Sequence, residues 1–286
     1  RVLGQLSDRF LDPITRPDAT YRPGCGPSLR NAQNMVRMVL NLERRRQLTH
    51  LVSKSIISPT YNERENIGLL VQGILDLGLD AQVIIVDDNS PDGTGQLADE
   101  MAGENPSVLV IHRPAKLGLG TAHIAGMKAA LEGDAGQIVT MDADFSHHPR
   151  YLPDLLSALS RYDVVIGSRY VPGGGTFDCT LSRKALSRGA NLFARTVLSL
   201  DAGDATAGFR GYRRAVLESL ALDDVVSDGY SFLIEMLYRC QRNGWRVGEV
   251  AIIFENRQRG ASKISKTEIF KAMQTVIRLG WERFRG

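Results

Sequence analysis

No run of apolar residues in this chain approaches the roughly 18–20 that cross a bilayer. The amino terminus lacks a charged n-region followed by an apolar h-region, so no secretory signal is visible. These absences predict a protein that is soluble or, at most, peripheral on the cytoplasmic face of a membrane. Cysteine is scarce: Cys25, Cys179 and Cys240 lie far apart, with no C-x-x-C spacing. That excludes a disulfide framework, argues against structural zinc, and suits a reducing cytosol with the three thiols buried or idle. Charge of one sign is lacking as well. A net +3 over 286 residues gives no argument for nucleic acid. What is present is an ordinary globular composition, 43% hydrophobic and 23% charged, enough for one large domain or a domain with an appendage.

Residues 1–53 read as an extension of unknown function. Pro13, Pro17, Pro23, Gly24, Gly26 and Pro27 punctuate a segment of little periodicity, which predicts loop. Asn31 to Leu51 is expected to be helical, with Met35, Val36, Met38, Val39 and Leu42 on one side. Arg44, Arg45 and Arg46 stand near its end, where cations suit a helix carboxyl terminus.

From Lys54 the texture becomes regular. Short apolar runs (Ser55–Ser58, Gln82–Val86, Ser107–Ile111, Gln137–Met141, Asp163–Gly167) alternate with amphipathic stretches (Glu65–Leu77, Thr94–Ala102, Thr121–Leu131, Pro149–Ser160). Strand and helix in alternation predict an α/β domain over 54–262, a mostly parallel sheet with helices on both faces. Ligands of such sheets bind beyond the carboxyl ends of the strands, and the polar motifs of this chain fall there.

After the first strand comes Pro59-Thr60-Tyr61-Asn62-Glu63. A tyrosine and a carboxylate at a strand end can hold a nucleobase, while Asn62 can serve as a helix cap. After the second comes Asp87-Asp88-Asn89-Ser90-Pro91-Asp92-Gly93-Thr94, in which Asp92-Gly93 is turn chemistry and Ser90 or Asp92 can cap a helix. Asp87 and Asp88 can accept hydrogen bonds from ribose or base donors, with one of the two serving structure. Lys116-Leu117-Gly118-Leu119-Gly120-Thr121 is no P-loop. It is either a tight turn or a place where backbone approaches a nucleotide.

The fourth motif, Ile138 to Pro149, places Asp142 and Asp144 one residue apart at a strand end. In an extended segment residues at i and i+2 point the same way, so both carboxylates can face one point at the strand's carboxyl end, where two like charges need a cation or a shared proton. A divalent ion that also takes diphosphate oxygens meets that need. The bland alternative is a solvated loop with two aspartates. His147 and His148 are either further ligands or polar loop residues ahead of Pro149.

In order, PTYNE, VDDNSPDGT, GLGTA, MDADFSHHP, GSRYVPGG, LSRGAN, GFRGY and NRQRGASK make the chain similar to the dolichol-phosphate (polyprenol-phosphate) mannose synthases. These are inverting family 2 glycosyltransferases of the GT-A, Rossmann-like fold, and the likeness covers roughly Ser55 to Lys266. The resemblance implies that Pro59, Tyr61, Glu63, Val86 and Asp88 form the nucleoside pocket. It implies that Asp142, Ala143 and Asp144 form the metal and diphosphate segment, holding Mg²⁺ or Mn²⁺. Ser146 stands where some relatives have a metal-coordinating Gln, and its shorter hydroxyl reaches the ion directly or through water. Arg169 corresponds to a phosphate clamp, and Arg183 with Ser187, four apart on one helix face, to residues that hold a lipid phosphate. Arg183 read alone is an ordinary solvated cation. Arg257 and Lys263 correspond to residues that close over the diphosphate.

The implied reaction transfers mannose from GDP-mannose to a polyprenyl (dolichyl-type) monophosphate with inversion, with Asp144, Arg169 and Arg183 as its catalytic groups. Three alternatives remain at this level: UDP-glucose as donor, a sugar hydroxyl as acceptor with Asp204 or Glu235 as general base, or an inert nucleotide-binding subunit of a membrane complex. The acceptor lipid requires a membrane surface. Residues 263–286 predict an amphipathic helix with Ile264, Ile269, Phe270, Met273, Val276, Ile277, Trp281 and Phe284 among cations, either lying on a bilayer or packed on the domain. Some relatives continue into transmembrane helices, which leaves room here for a small membrane-anchoring subunit.

Overall fold

The computed structural model describes residues 54–177, 180–255 and 266–285, apart from the side chains at 182, 183, 266–269 and 285. The expected extension and its helix, and the stretch carrying Arg257 and Lys263, lie outside the described residues.

The strands among the described residues are β1 (Lys54–Thr60), β2 (Ala81–Asp87), β3 (Val108–His112), β4 (Gln137–Thr140), β5 (Val164–Ser168), β6 (Gly175–Phe177), β7 (Arg210–Arg213), β8 (Val247–Ala251) and β9 (Ile253–Glu255). The main sheet has the order β3-β2-β1-β4-β7-β5-β8, and β6 pairs with β9 apart from it. Every pairing in the main sheet is parallel except those of β7, which runs antiparallel between β4 and β5. The helices are α1 (Arg64–Leu75), α2 (Thr94–Glu104), α3 (Leu119–Glu132), α4 (Leu152–Ala158), α5 (Leu181–Leu198), α6 (Arg214–Ser219), α7 (Tyr230–Arg242) and α8 (Lys266–Arg285).

The strands read as continuous apolar runs because both faces are covered, and the pleat deals successive residues to opposite sides. Ile56, Val83, Ile85, Val139 and Val165 pack against residues of α1, α2 and α4. Their neighbours Ile57, Ile84, Val86, Ile138 and Val164 pack against α3, α6 and α7. Helix α1 meets the sheet through Ile67, Leu70, Val71 and Ile74, the i, i+3, i+4, i+7 stripe of an amphipathic helix. A third cluster joins Ile166 to Ala194 and Leu198 of α5, Ile234 and Leu237 of α7, and Val276 and Leu279 of α8.

Strands β6 to β9 are absent from the sequence expectation, and of these β7 lies between two expected strands, β4 and β5. It carries an arginine and a glycine where apolar residues would mark a buried strand. Gly211 is required there because a Cβ would collide with Leu155 of α4. Arg210 is fully buried, and its guanidinium donates to the carbonyls of Ala207 (2.8 Å), Ala205 (2.7 Å) and Leu233 (2.6 Å). Three carbonyl acceptors let a charged group enter the interior, where it would otherwise be prohibitively costly.

On the opposite side of α7, His123 is fully buried and stacked on Phe232 with ring centroids 5.5 Å apart. Neither ring nitrogen finds a hydrogen-bond partner among the described residues. Burial, aided by the Arg210 and His147 charges, lowers its pKa from 6.5 to about 3. The unfolded chain therefore takes a proton that the folded chain refuses. The resulting loss of stability begins as pH falls through 6.5 and is complete near 3. Going from pH 7 to pH 5 costs about 2 kcal/mol from this group alone. Urea denaturation of His123→Phe, compared with itself at the two pH values, is expected to lack that increment, whatever the substitution costs at pH 7.

Candidate active site

The carboxyl ends of β2, β1 and β4 lie side by side, since Pro59 pairs with Val86 and Ile57 with Thr140. This register gathers Pro59, Tyr61, Glu63, Val86 and Asp88 at one end of the sheet. The Asp88 N–H donates to the Thr60 carbonyl (3.0 Å), which ties the two loops together. Lys116 lies over the Tyr61 ring, 4.0 Å from its centroid. Asp87 is the structural member of its pair, accepting from the Thr60 hydroxyl (3.0 Å), the Ser90 hydroxyl (2.5 Å) and the Ser90 N–H (3.0 Å). Asp88 is buried and ion-paired with Arg113 at 2.7 Å. Burial pushes its carboxyl above the ordinary value, and Arg113 with the Gly118 and Leu117 N–H groups recovers only part.

Asn62 is not a cap. Helix α1 starts at Arg64 with Glu63 in the cap position, and Asn62 adopts φ +59° as the chain turns out of β1. Glu63 is buried and accepts from Asn66 Nδ2 (2.8 Å), so helix geometry fixes the carboxylate. Asp92 does act at a helix start, accepting from the Thr94 N–H (3.0 Å) and hydroxyl (2.6 Å).

Strand β4 ends at Thr140, so Asp142 and Asp144 lie on a turn and the pleat does not orient them. The turn does: Phe145 takes φ +61°, a conformation costly for a bulky residue and found where surroundings impose it. Ser146 is buried, and its hydroxyl (2.6 Å) and N–H (3.0 Å) both donate to Asp144 Oδ1. Its hydroxyl thus orients that carboxylate. His147 is buried between Phe209 and Phe254, with Nδ1 3.4 Å from the Asp142 nitrogen. His148 Nδ1 accepts from the Arg150 N–H (3.1 Å) and caps the short helix beginning at Pro149. Both histidines are engaged in shaping the turn. Among the described residues no group of three or more His, Cys, Asp or Glu side chains gathers for a metal. Two carboxylates alone are the donor set of an ion that completes its shell with water and substrate phosphate.

Across β7, Arg169 follows β5. Its Nε and Nη2 each donate to Asp204 at 2.7 Å, and Nη2 also reaches the Thr206 hydroxyl (2.9 Å). Burial works against the arginine's charge, but the Asp204 hydrogen bonds and carboxylate outweigh it and hold the group protonated. Ser187 of α5 accepts from the Tyr170 hydroxyl (2.8 Å), which sets it beside Arg169 in the chain's β5–α5 corner. Arg183 lies on α5, and its side chain falls outside the described part.

Neither proposed base is available. Asp204 is fully buried under Arg169. Glu235 is fully buried between Arg239 (2.7 Å) and Arg278 (2.9 Å) and accepts from the Ser227 hydroxyl. Burial pushes Glu235 upward, yet Ser227 and the two arginines hold it below the usual carboxylate range.

Residues 55–221 match the family model described as glycosyl transferase family 2. The chain belongs to glycosyl transferase family 2. It is 45% identical over 233 residues to an undecaprenyl-phosphate mannosyltransferase of Micrococcus luteus, covering 80% of this chain and 96% of that one. It is also 45% identical over 227 residues to a polyprenol monophosphomannose synthase of Mycolicibacterium smegmatis, covering 79% and 86%. Among solved structures it resembles the Mycobacterium tuberculosis glucosyl-3-phosphoglycerate synthase crystallised with Mn²⁺ and UDP (TM-score 0.59, 18% identity, 92% and 87% covered). That likeness carries the fold: this glycosyltransferase is a GT-A domain.

The site residues that sequence reasoning missed are partners rather than ligands. Arg113 stands 25 residues from Asp88, and nothing in the local pattern links them; the Arg169–Asp204 pair spans 35 residues. Gly118 was legible as a turn. Its φ is +105°, its N–H donates to Asp88 Oδ2 (3.3 Å), and a Cβ would collide with Asp228. Removing one partner of a buried ion pair typically costs about 3–5 kcal/mol. Arg113→Met is expected to lower stability by that order at pH 7.5 in urea denaturation. The deficit should shrink at pH 4.5, because the orphaned Asp88, already pushed upward by burial, takes a proton.

Proposed function

We propose that this glycosyltransferase moves mannose from GDP-mannose to a polyprenyl monophosphate, inverting the anomeric carbon. The observation that carries the reading is the engagement of both candidate general bases by arginines, in a chain 45% identical to two enzymes named for mannosyl transfer to, or synthesis of, such lipids. A sugar hydroxyl must lose a proton as it attacks and wants a base nearby. A phosphate monoester has a second pKa of about 6 and arrives already ionised. A site whose two candidate bases, Asp204 and Glu235, are both held by arginines suits the second acceptor better than the first.

In this reading Tyr61, Glu63 and Asp88 hold the nucleoside, with Pro59 and Val86 as the apolar floor. Asp142 and Asp144 hold a divalent ion, Mg²⁺ or Mn²⁺, with Ala143 between them and Ser146 fixing Asp144. Such an ion, when bound, neutralises charge developing on the departing diphosphate. Arg257 and Lys263 cover the diphosphate. Arg169, Arg183 and Ser187 present the acceptor phosphate on the opposite side of β7, so that positioning supplies much of the rate enhancement.

The decisive assay incubates the protein with labelled GDP-mannose or UDP-glucose, a divalent ion and a short polyprenyl phosphate, and looks for labelled lipid. Transfer from GDP-mannose, lost in EDTA and restored by Mg²⁺ or Mn²⁺, is expected. Asp144→Ala should reduce turnover by about three orders of magnitude, and Ser146→Ala by only about tenfold, since it removes an orienting hydrogen bond and no charge. Transfer from UDP-glucose alone would replace the donor assignment.

The acceptor must be drawn from a membrane, and among the described residues no helix is long and apolar enough to cross one. Helix α8 buries Val276 and Leu279 while exposing Phe270, Met273, Ile277, Trp281 (61%) and Phe284 (84%) on its other face. An apolar face with an interfacial tryptophan and flanking cations is the pattern of a helix that lies on a bilayer. The double substitution Ile277→Ser and Phe284→Ser is expected to weaken co-sedimentation with acidic phospholipid vesicles at least fivefold while leaving thermal stability unchanged. Equal co-sedimentation would remove α8 from the membrane contact.

A further inference from the structure

Between the segment after β5 and helix α5 lies an open cleft of about 380 Å³, lined among others by Arg169, Tyr170, Arg188, Asn191, Leu192 and Arg195. Arg188, Leu192 and Arg195 recur at i, i+4 and i+7 and share one face of α5. None of the residues lining the cleft is acidic. Asn191 is spent on structure: its amide donates to the Ser187 carbonyl (3.0 Å) and its oxygen accepts from the Ala205 N–H (2.7 Å).

The charge balance of this cleft is what calls for a ligand. Arg169 brings no net charge, because Asp204 answers it from below, and only its Nη1 edge lacks a partner among the described residues. Arg188 and Arg195 are exposed and have no ionic or hydrogen-bonding partner among the described residues. Two unanswered guanidinium groups in one acid-free concavity repel each other, and an anion of charge near −2 relieves both. Leu192 at the rim is 64% exposed. An anion site with an apolar rim fits an amphiphile better than free phosphate.

Resting on the proposed function, we infer that Arg188 and Arg195 extend the acceptor-phosphate site proposed at Arg169, Arg183 and Ser187 and bind the headgroup of the isoprenoid acceptor, with Arg169 shared by both sets. A phosphate monoester is close to a dianion at neutral pH and matches the two unpaired cations. A bilayer phospholipid offers the same chemistry as a diester with a single charge. Guanidinium binds phosphate oxygens in a fork that an ammonium reproduces only in charge.

The test uses the full chain and its Arg188→Gln, Arg195→Gln and double variants, with Arg→Lys at both positions as the conservative control. Steady-state kinetics with a short polyprenyl phosphate should show acceptor KM raised about tenfold or more per Gln substitution, donor KM unchanged, and partial recovery with Lys. An unchanged acceptor KM in the active double variant overturns the inference. Titration of citronellyl phosphate without donor, followed by calorimetry, reads the cleft independently of sugar transfer. About tenfold weaker binding to the double variant supports the site even if the wild-type chain transfers no mannose, and equal binding overturns it. Co-sedimentation with phosphatidylglycerol vesicles lacking acceptor separates the two lipid sources. Loss of vesicle binding with citronellyl phosphate binding intact overturns the acceptor assignment and gives the cleft to bulk lipid.

Discussion

Two guanidinium groups, a part-buried one answered by a carboxylate and a fully buried one answered by carbonyls alone, hold the loop that enters β7. Arg169 grips Asp204 through two side-chain hydrogen bonds, and Arg210 grips the Ala205 and Ala207 carbonyls of the same loop together with Leu233 of α7. Further bonds reach it from every side. Glu249 of β8 accepts from the Gly203 N–H (2.8 Å) and the Asp204 N–H (3.1 Å), Asn191 of α5 accepts from Ala205, and the Thr140 hydroxyl of β4 donates to the Gly208 carbonyl (2.9 Å). The one antiparallel strand can be inserted between β4 and β5 because its entry loop is pinned to both. Charges of this kind are poor sources of net stability, since desolvation offsets much of the attraction. Their effect is geometric: the acid turn after β4 and the arginine corner after β5 are held to one loop.

The other half of the site has its own chain of contacts. Arg113 donates to the Gly118 carbonyl (3.2 Å) while paired to Asp88, and Asp228 accepts from the Gly120 N–H (2.8 Å). Ser227, next to Asp228, donates to Glu235, which Arg278 of α8 approaches from outside. The Asp88 end of the sheet is therefore linked by consecutive polar contacts to the helix with the exposed apolar face. This is a static connection between elements and needs no motion to explain it.

How far the sequence reveals this depends on the range of each interaction. The strands β1 to β5 and helices α1 to α4 are short-range features, and alternating apolar runs and stripes display them within one to three residues of their observed bounds. Strand β7 escapes because its buried positions are Arg210 and Gly211, whose reasons for being there lie on α7 and α4. The strand-pleat account of Asp142 and Asp144 fails for a related reason: the sheet ends at Thr140, and a left-handed Phe145, not extended backbone, turns the chain. Ion pairs such as Asp88 with Arg113 leave no local trace, so a motif shows a carboxylate but not how much of its charge remains. Of the two readings of the carboxyl-terminal helix, packing on the domain is what the structure shows for one face. Val276 and Leu279 pack on the domain, while Phe270, Ile277 and Trp281 face away.

The distribution of net charge along the strand ends carries the chemistry further. Carboxylates occupy the β4 end at Asp142 and Asp144, and Asp88 at the β2 end is answered by Arg113, whereas the Arg188 and Arg195 side chains of α5 have no ionic partner among the described residues. In the proposed reaction both substrates bear phosphate, so a uniformly basic site would bind either one in either place. In that reading the acidic residues on the donor side disfavour bare phosphate and take a diphosphate together with a divalent ion. Permanent cations on the acceptor side favour a monoester dianion without any such partner. The donor's phosphates must leave after transfer, and an exchangeable ion lets them go. The acceptor's phosphate stays bonded to its lipid, and fixed arginines can hold it throughout. Opposite charge on the two sides of β7 thus sorts two chemically similar groups by role, which uniform charge could not do.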